Sequence, residues 1–179
     1  MKNGPFRKWD RFELTYSIWN YNPDLQRDRQ VAAIRWAFDL WSKPTSLRFE
    51  HLRDSVAADI ELRWVDEPGG DHAWANPPPR SSAQEPQDGN IWFNLDRRWT
   101  FEQRDTREEP LDFLTLCAHE IGHSIGLGHV RMVDSLMRSP YDGSIRNLGL
   151  YELSCYTQLY EPLLVCAFFP DEAPGIRCR

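Results

Sequence analysis

The chain has 179 residues, a length typical of a single domain that buries a full hydrophobic core. Apolar residues make up 41% and charged residues 27%, as in ordinary globular domains. The net charge of −6 argues against nucleic acid or an anionic membrane surface as the main partner. No run approaches the roughly 18 apolar residues of a membrane span. We therefore expect one domain over residues 1–179, with peripheral tails at 1–7 and about 164–179.

Hydrophobic periodicity predicts strands and one helix in the N-terminal half. Four short, mostly alternating apolar segments predict strands: residues 13–19, 47–51, 59–65 and 91–95. A helix is predicted to begin at Pro23-Asp24, with apolar side chains at helical spacing: Val31, Ile34, Phe38 and Trp41. Residues 76–90 are rich in Pro, Ser, Asp and Gly and are predicted to form a loop within the same domain.

Residues 119–129 read His-Glu-Ile-Gly-His-Ser-Ile-Gly-Leu-Gly-His and carry the clearest chemical signal. Residues four apart lie on one face of a helix, so His119 and His123 can direct their rings to one point. Glu120 lies beside that point without being a ligand. The spacing predicts a zinc site with Glu120 as the general base that accepts a proton from a zinc-activated water.

The third histidine of the motif requires the helix to end. Gly126 can adopt the left-handed conformation that terminates a helix, which allows the chain to turn back and bring His129 to the same point. Three neutral histidines leave zinc with an open position, the pattern of a catalytic site. This helix is predicted to open at Pro110, with Cys117 as a small buried residue rather than a nucleophile.

The motif and its surroundings resemble the matrixins, the matrix metalloproteinase group of the metzincin zinc endopeptidases. Met137 follows His129 by eight residues, in the manner of the matrixin Met-turn, and Val130 differs from the residue that related groups place after the third histidine. The resemblance extends over about residues 8–141. It includes several N-terminal segments: 8–9, 14–18, 20–25, 37–41, 44–49, 58–60 and 98–100.

The resemblance implies an α+β fold with a twisted, mostly parallel five-stranded sheet and one antiparallel edge strand. Helices pack on the sheet, and the zinc helix lies below a cleft along the edge strand at residues 72–75. A peptide substrate would bind there as an extended strand. The residues implied in substrate binding are Ala73, Thr115, Leu116, Pro140 and Tyr141. Met137 would pack beneath the zinc.

The implied function is a zinc-dependent endopeptidase of proteins that prefers an apolar residue just after the cut bond. The alternative is a catalytically weak or inactive protein-binding module that keeps the fold. The resemblance further implies a secreted, extracellular and monomeric protein, although residues 1–5 contain no apolar signal core. One disulfide is expected among Cys155, Cys166 and Cys178, with the pairing left open.

Accessory metals of the matrixins are expected to be absent or weak in this chain. For the structural zinc, His72 matches one ligand position and Trp92 stands at another. The calcium positions keep only two acids, Asp24 and Asp59. Other residues stand at the remaining positions: Asn90, Asn94, Leu95 and Arg97. One catalytic zinc is therefore expected. We hypothesise that apolar packing around Trp64, Trp74 and Trp92 replaces the accessory metals.

Overall fold

The fold was analysed in a computed structural model that describes residues 7–53, 57–67, 69–80, 84–104, 106, 108–141 and 143–160. It contains seven strands: β1 (Glu13–Ile18), β2 (Arg48–His51), β3 (Ile60–Val65), β4 (Ala73–Ala75), β5 (Ile91–Asn94), β6 (Trp99–Thr100) and β7 (Leu111–Asp112). It contains three helices: α1 (Arg27–Ser42), α2 (Phe113–Ser124) and α3 (Leu150–Leu159). The expected tails lie outside the described residues apart from Arg7.

Five strands form one mixed sheet in the order β2-β1-β3-β5-β4. The pairs β1–β2, β1–β3 and β3–β5 are parallel, whereas β4 runs antiparallel to β5 at the edge. Helices α1 and α2 pack against each other, and α2 also contacts β4 and β5. The α+β fold with one antiparallel edge strand is therefore confirmed, and α2 lies beside that edge.

Helix α1 begins at Arg27, four residues later than the sequence indicates. A side-chain-supported turn occupies the intervening residues. The Asn22 carbonyl oxygen Oδ1 accepts the Asp24 backbone N–H at 2.8 Å, and the buried Gln30 amide donates to the carbonyls of Asn22 and Leu25 at 2.9 and 2.8 Å. Asn side chains that bind nearby backbone groups favour turns over helix, which explains the later start.

Helix α2 also begins later than expected, at Phe113 rather than at Pro110. Leu111 and Asp112 instead form β7, which pairs in parallel with β6 in a separate two-stranded sheet. The Asp112 carboxylate then accepts the backbone N–H groups of Leu114 and Thr115 at 3.1 and 3.4 Å. Asp is a favoured N-cap because its oxygen satisfies N–H groups that have no partner within the helix.

The three tryptophans of the packing hypothesis do not share one cluster, because the sheet divides them between its two faces. Trp64 pairs with Phe93 across β3 and β5 and packs in the core against Phe113. Trp74 and Trp92 pair across β4 and β5 and stack with their ring centroids 5.9 Å apart. Successive side chains in a strand point to opposite faces, so the Trp74–Trp92 pair lies opposite Trp64.

The C-terminal part is more regular than the sequence suggests. Helix α3 contributes Tyr156 to the core. Its ring packs edge-on against that of Trp41, with the ring centroids 5.2 Å apart. Cys155 on the same helix is disulfide-bonded. The other two candidates for the open pairing, Cys166 and Cys178, lie outside the described residues. Within the described part of the chain, no helix is long and apolar enough to cross a membrane.

Near the positions where the matrixin resemblance implies accessory metals, side chains donate hydrogen bonds to backbone carbonyls. The buried Asn94 amide nitrogen donates to the carbonyls of Glu67 and Asp71 at 2.8 and 3.0 Å. The Arg97 guanidinium donates to the carbonyl of Gly70 at 2.5 Å. Converging carbonyl oxygens are also what a calcium ion would bind. Here two side chains donate to these carbonyls through nitrogen atoms.

A similar substitution occurs at Asp59, one of the two acids that remain at the calcium positions. One carboxylate oxygen forms an ion pair with Arg11. The other accepts the backbone N–H and the hydroxyl of Thr15 at 2.7 and 2.9 Å. The guanidinium therefore supplies the positive charge that a metal would otherwise bring to this carboxylate.

We predict that Asn94→Asp lowers the free energy of unfolding by about 2–4 kcal/mol, because it replaces two donated hydrogen bonds with a carboxylate facing carbonyl oxygens. Urea denaturation measures the change. Asn147→Asp is the matched control, since Asn147 is exposed, and we expect a change within about 0.5 kcal/mol. Equal unfolding free energies for the two variants would contradict this account of the loop.

Candidate metal centre

Three imidazole rings converge at the C-terminal end of α2. The Nε2 atoms of His119 and His123 lie 3.1 Å apart, and each lies 3.2 or 3.0 Å from Nε2 of His129. His119 is buried, His123 is half-buried and His129 is exposed. The group therefore opens to solvent on the side of His129. It is the one group of three or more metal-ligating side chains among the residues that the structure describes.

Two of the rings are oriented by backbone carbonyls. His119 Nδ1 lies 2.7 Å from the carbonyl oxygen of Leu136, and His123 Nδ1 lies 2.8 Å from that of Leu127. A carbonyl only accepts, so Nδ1 carries the proton in both rings and Nε2 keeps its lone pair. Carbonyl partners of this kind are typical of metal-bound histidines, because they fix the tautomer and the ring orientation.

Burial keeps the three rings neutral. It lowers the pKa of His119 to about 4, and together with the neighbouring histidines it lowers the pKa of His123 well below its ordinary value. Burial also lowers the pKa of His129. Neutral imidazole is the form that binds metal, so the ligands need not lose protons near neutral pH.

The spacing of the three nitrogens fits zinc. A tetrahedral zinc with bonds of about 2.0–2.1 Å separates its ligand nitrogens by about 3.3 Å. The three Nε2 separations of 3.0–3.2 Å are close to this value. Three nitrogen ligands with one position left for water or substrate are the donor set of catalytic zinc sites.

Glu120 is buried beside the histidines with an oxygen that binds nothing in the protein. Its Oε2 atom is inaccessible to solvent and has no hydrogen-bond partner. Burial, and secondarily the charge of Asp71, raises the pKa of Glu120 to about 8. Buried polar atoms without partners are uncommon and costly, so this oxygen indicates a missing ligand or water.

The chain leaves the helix through a left-handed glycine, as expected from the motif. Gly126 has φ of +109°, and its N–H binds the carbonyl of His123 at 2.9 Å. The N–H of Leu127 binds the carbonyl of Gly122, also at 2.9 Å. These two bonds form the Schellman motif, in which glycine avoids the steric cost of positive φ. The turn carries the chain back so that His129 meets the other two rings.

Gly122, within the helix, allows Met137 to approach. A Cβ atom at Gly122 would lie 2.4 Å from the Met137 sulfur, which is too close for any side chain. Met137 is fully buried, so the structure places it directly against the helix turn between His119 and His123. This packing position is the one that the resemblance implies for the Met-turn.

Glu152 supports the Met-turn, and sequence reasoning missed it. It lies in the first turn of α3. One carboxylate oxygen accepts the Ser135 hydroxyl and the Met137 N–H, the latter at 3.1 Å. The other accepts the N–H of Gly149 at 2.7 Å. A helical signal at residues 150–159 could have suggested this acid.

Arg146 is a second residue that the sequence did not reveal. Its guanidinium forms an ion pair with the buried Asp112 at 2.9 Å and donates to the hydroxyl of Thr115 at 3.2 Å. It also donates to the carbonyl of Phe101 at 3.0 Å. The segment after the Met-turn is thereby joined to the N-terminus of the zinc helix.

The residues implied in substrate binding differ in their exposure. Leu116 and Thr115 are buried within α2, and the Thr115 hydroxyl also donates to Asp112. Tyr141 is half-buried, with its ring centroid 6.5 Å from that of His119, whereas Pro140 is exposed. Ala73 is half-buried on the edge strand β4.

Cys117 has no catalytic environment. The thiol is free and fully buried two residues before His119, and burial raises its pKa above the ordinary value. A reactive cysteine needs an accessible thiolate, so this residue serves packing.

Comparison with known proteins connects the centre to a family. The family model of the matrixins matches residues 8–160. The chain is 35% identical to interstitial collagenase of Sus scrofa over 75% of its own length and 28% of that protein. It is 32% identical to matrix metalloproteinase-C of Caenorhabditis elegans, over 80% of the chain and 26% of that protein. It is 31% identical to karilysin of Tannerella forsythia, over 86% of the chain and 33% of that protein. It thus spans about a quarter to a third of these relatives. With this match over most of its length, the chain belongs to the matrixin family.

Proposed function

We propose that the chain is a zinc-dependent endopeptidase that hydrolyses peptide bonds of proteins, with Glu120 as general base. Matrixins are zinc metalloendopeptidases, and the three-histidine group suits a zinc ion. One observation carries the proposal. Three Nε2 atoms converge within 3.2 Å of one another beside a buried Glu120 oxygen that has no partner in the protein.

The proposed chemistry divides between the ligands and the carboxylate. Zinc bound by His119, His123 and His129 would supply a Lewis acid that acidifies water and polarises the substrate carbonyl. Glu120 accepts a proton from the attacking water and returns it to the leaving amine. Burial raises the pKa of Glu120 to about 8, which makes its carboxylate a stronger base than an exposed one. The charge of a zinc ion beside it would favour the ionised form that accepts the proton. The exposed side at His129 leaves room for substrate.

The proposed substrate is a peptide in extended conformation. Strand β4 ends the order of the sheet and pairs with β5, which leaves its other edge available for a further strand. Helix α2 contacts β4, so a peptide along this edge would pass the histidines. Backbone hydrogen bonds would align it, with Ala73 at the edge. Leu116, Thr115, Pro140 and Tyr141 are the proposed surroundings of the residue after the cut bond.

We also propose that the chain binds one zinc ion tightly and needs no accessory metals. The nitrogen donors of Asn94 and Arg97 bind the carbonyls of the loop before β4. Arg11 neutralises Asp59. A cation would have to displace these groups, and a guanidinium at such a place repels it.

The proposed setting is extracellular, with protein substrates and a monomeric single catalytic domain. Relatives named interstitial collagenase and matrix metalloproteinase support this setting. The disulfide at Cys155 supports it as well, because disulfides persist mainly in oxidising compartments.

Glu120→Gln tests the general base. We expect kcat on a peptide substrate to fall by about 10²–10⁴-fold or more, because the amide cannot accept the proton, while the zinc content stays unchanged. Steady-state kinetics and elemental analysis measure the two quantities. Glu102→Gln is the matched control, since Glu102 is exposed and remote from the histidines, and it should keep parent activity. Parent activity in Glu120→Gln would refute the mechanism.

Metal analysis tests the proposed complement. We expect about one zinc per purified chain and loss of casein cleavage when a zinc chelator such as 1,10-phenanthroline removes it. A calcium-selective chelator should shift Tm by less than about 1 °C, because protein donors hold the loop carbonyls. Three or more tightly bound metal ions per chain would contradict the proposal of a single ion. Casein cleavage that resists zinc removal would contradict zinc catalysis itself.

Matched peptides test the proposed preference beside the cut bond. We expect a peptide with Leu just after that bond to be cleaved with a kcat/KM at least about 10-fold above the same peptide with Asp there, because an apolar side chain loses less on desolvation. Mass spectrometry locates the cut and rates give the ratio. Equal rates would remove the apolar preference while leaving the zinc chemistry intact.

A further inference from the structure

The end of the zinc helix has two carbonyl groups that its own backbone does not satisfy. The final carbonyls of a helix lack partners within it. The turn supplies some of them, since the N–H groups of Ile125, Gly126 and Leu127 bind the carbonyls of Ile121, His123 and Gly122 at 2.9–3.0 Å. The carbonyls of Ser124 and Ile125, the next two in the chain, need other donors.

Both donors come from distant parts of the chain. The indole Nε1 of Trp9 donates to the carbonyl of Ser124 at 3.0 Å. The hydroxyl of Tyr160, at the end of α3, donates to the carbonyl of Ile125 at 2.9 Å. The same hydroxyl accepts the backbone N–H of Trp9 at 3.0 Å, so the three segments are joined. Trp9 and Tyr160 are each only 2% exposed.

Residues 7–9 pack closely against the end of α2. A Cβ atom at Gly126 would lie 2.0 Å from the carbonyl oxygen of Arg7. A Cβ atom at Gly89 would lie 2.5 Å from the Trp9 ring, and the Ser124 hydroxyl donates to the carbonyl of Gly89 at 2.7 Å. The absence of side chains at two glycines therefore lets residues 7–9 lie against the end of α2.

The segment that follows this helix end controls two of the three histidines. Leu127, two residues after Ile125, offers the carbonyl that orients the His123 ring at 2.8 Å. His129 is two residues further on. A shift of the backbone at Ile125 would therefore change the direction of His123 and the place of His129 together.

We propose that Trp9 and Tyr160 are positioning residues for the metal centre: they fix the end of α2 so that His123 and His129 meet His119. This inference rests on the proposed zinc function of the same site. The two side chains touch neither metal nor substrate. They act through the backbone of residues 124–129. On this proposal, the N-terminal segment that carries Trp9 supports the geometry of the metal centre.

Tyr160→Phe tests the positioning role. The substitution leaves two buried groups without a partner, the carbonyl of Ile125 and the N–H of Trp9, so residues 125–129 should move more freely. Partners that orient metal ligands typically contribute 10–100-fold to metal affinity, and we expect zinc transfer to a chromogenic chelator about 10-fold faster than in the parent chain. Stopped-flow absorbance measures the rate.

Tyr151→Phe is the matched control. Tyr151 lies on the same helix α3 and is 5% exposed, and its buried hydroxyl has no hydrogen-bond partner. Tyr151→Phe therefore removes a buried hydroxyl oxygen from the same helix, as Tyr160→Phe does from its end, but it leaves no backbone group without a partner. We expect its zinc release to stay within about twofold of the parent rate.

Trp9→Phe provides an independent variant should Tyr160→Phe fail to fold. It removes the indole donor from Ser124 and keeps an aromatic ring. Trp99→Phe is its control, since the Trp99 indole donates at 2.8 Å to the carbonyl of Asn94 rather than to α2. In the zinc-loaded chains, we expect faster hydrogen exchange over residues 125–129 in Trp9→Phe alone.

The outcomes separate the two proposals. A parent chain that binds no zinc would refute the proposed function. A parent chain that binds zinc, with equal release rates for Tyr160→Phe and Tyr151→Phe, would refute the positioning role alone. Lower Tm in Tyr160→Phe with unchanged zinc release would also refute it, because that result is what a merely structural hydroxyl gives.

Discussion

The left-handed turn at Gly126 is the constraint on which the metal centre depends. A helix can present two histidines four residues apart to one point, but a third on the same helix would lie too far along the axis. The helix must end, and φ of +109° at Gly126 ends it within one turn of His123. His129 then returns with its Nε2 3.0 Å from that of His123. Gly122 serves a different purpose, because its missing side chain admits Met137.

Burial shifts the pKa values of two groups at the centre in opposite directions. It lowers the pKa of His119 to about 4 and raises the pKa of Glu120 to about 8. Both shifts favour uncharged groups, because His119 and Glu120 lie in a poorly solvated place. Such an arrangement is costly for a protein unless something binds there. A divalent cation would offset that free-energy cost, since its charge favours the ionised form of a neighbouring carboxyl group.

Local patterns revealed four strands of the five-stranded sheet and the motif at residues 119–129, because alternation and helical spacing depend on neighbouring residues. Contacts between distant residues were not accessible in the same way. Trp9 and Tyr160 are 151 positions apart, and nothing in either neighbourhood indicates the other. The faces on which Trp64 and Trp92 lie could not be predicted for a related reason. Which face a side chain shares with another strand depends on the register, which pairs Trp64 with Phe93 and Trp92 with Arg63.

The proposed replacement of accessory cations by side chains would change what the fold depends on. A loop closed around calcium is only as stable as the free ion concentration allows, since binding stabilises by mass action. Asn94 and Arg97 bring covalently attached donors to the carbonyls of Glu67, Gly70 and Asp71. Their stabilisation does not vary with ion concentration. On this proposal the loop before β4, and with it the edge that the substrate would meet, would keep its shape wherever calcium is scarce.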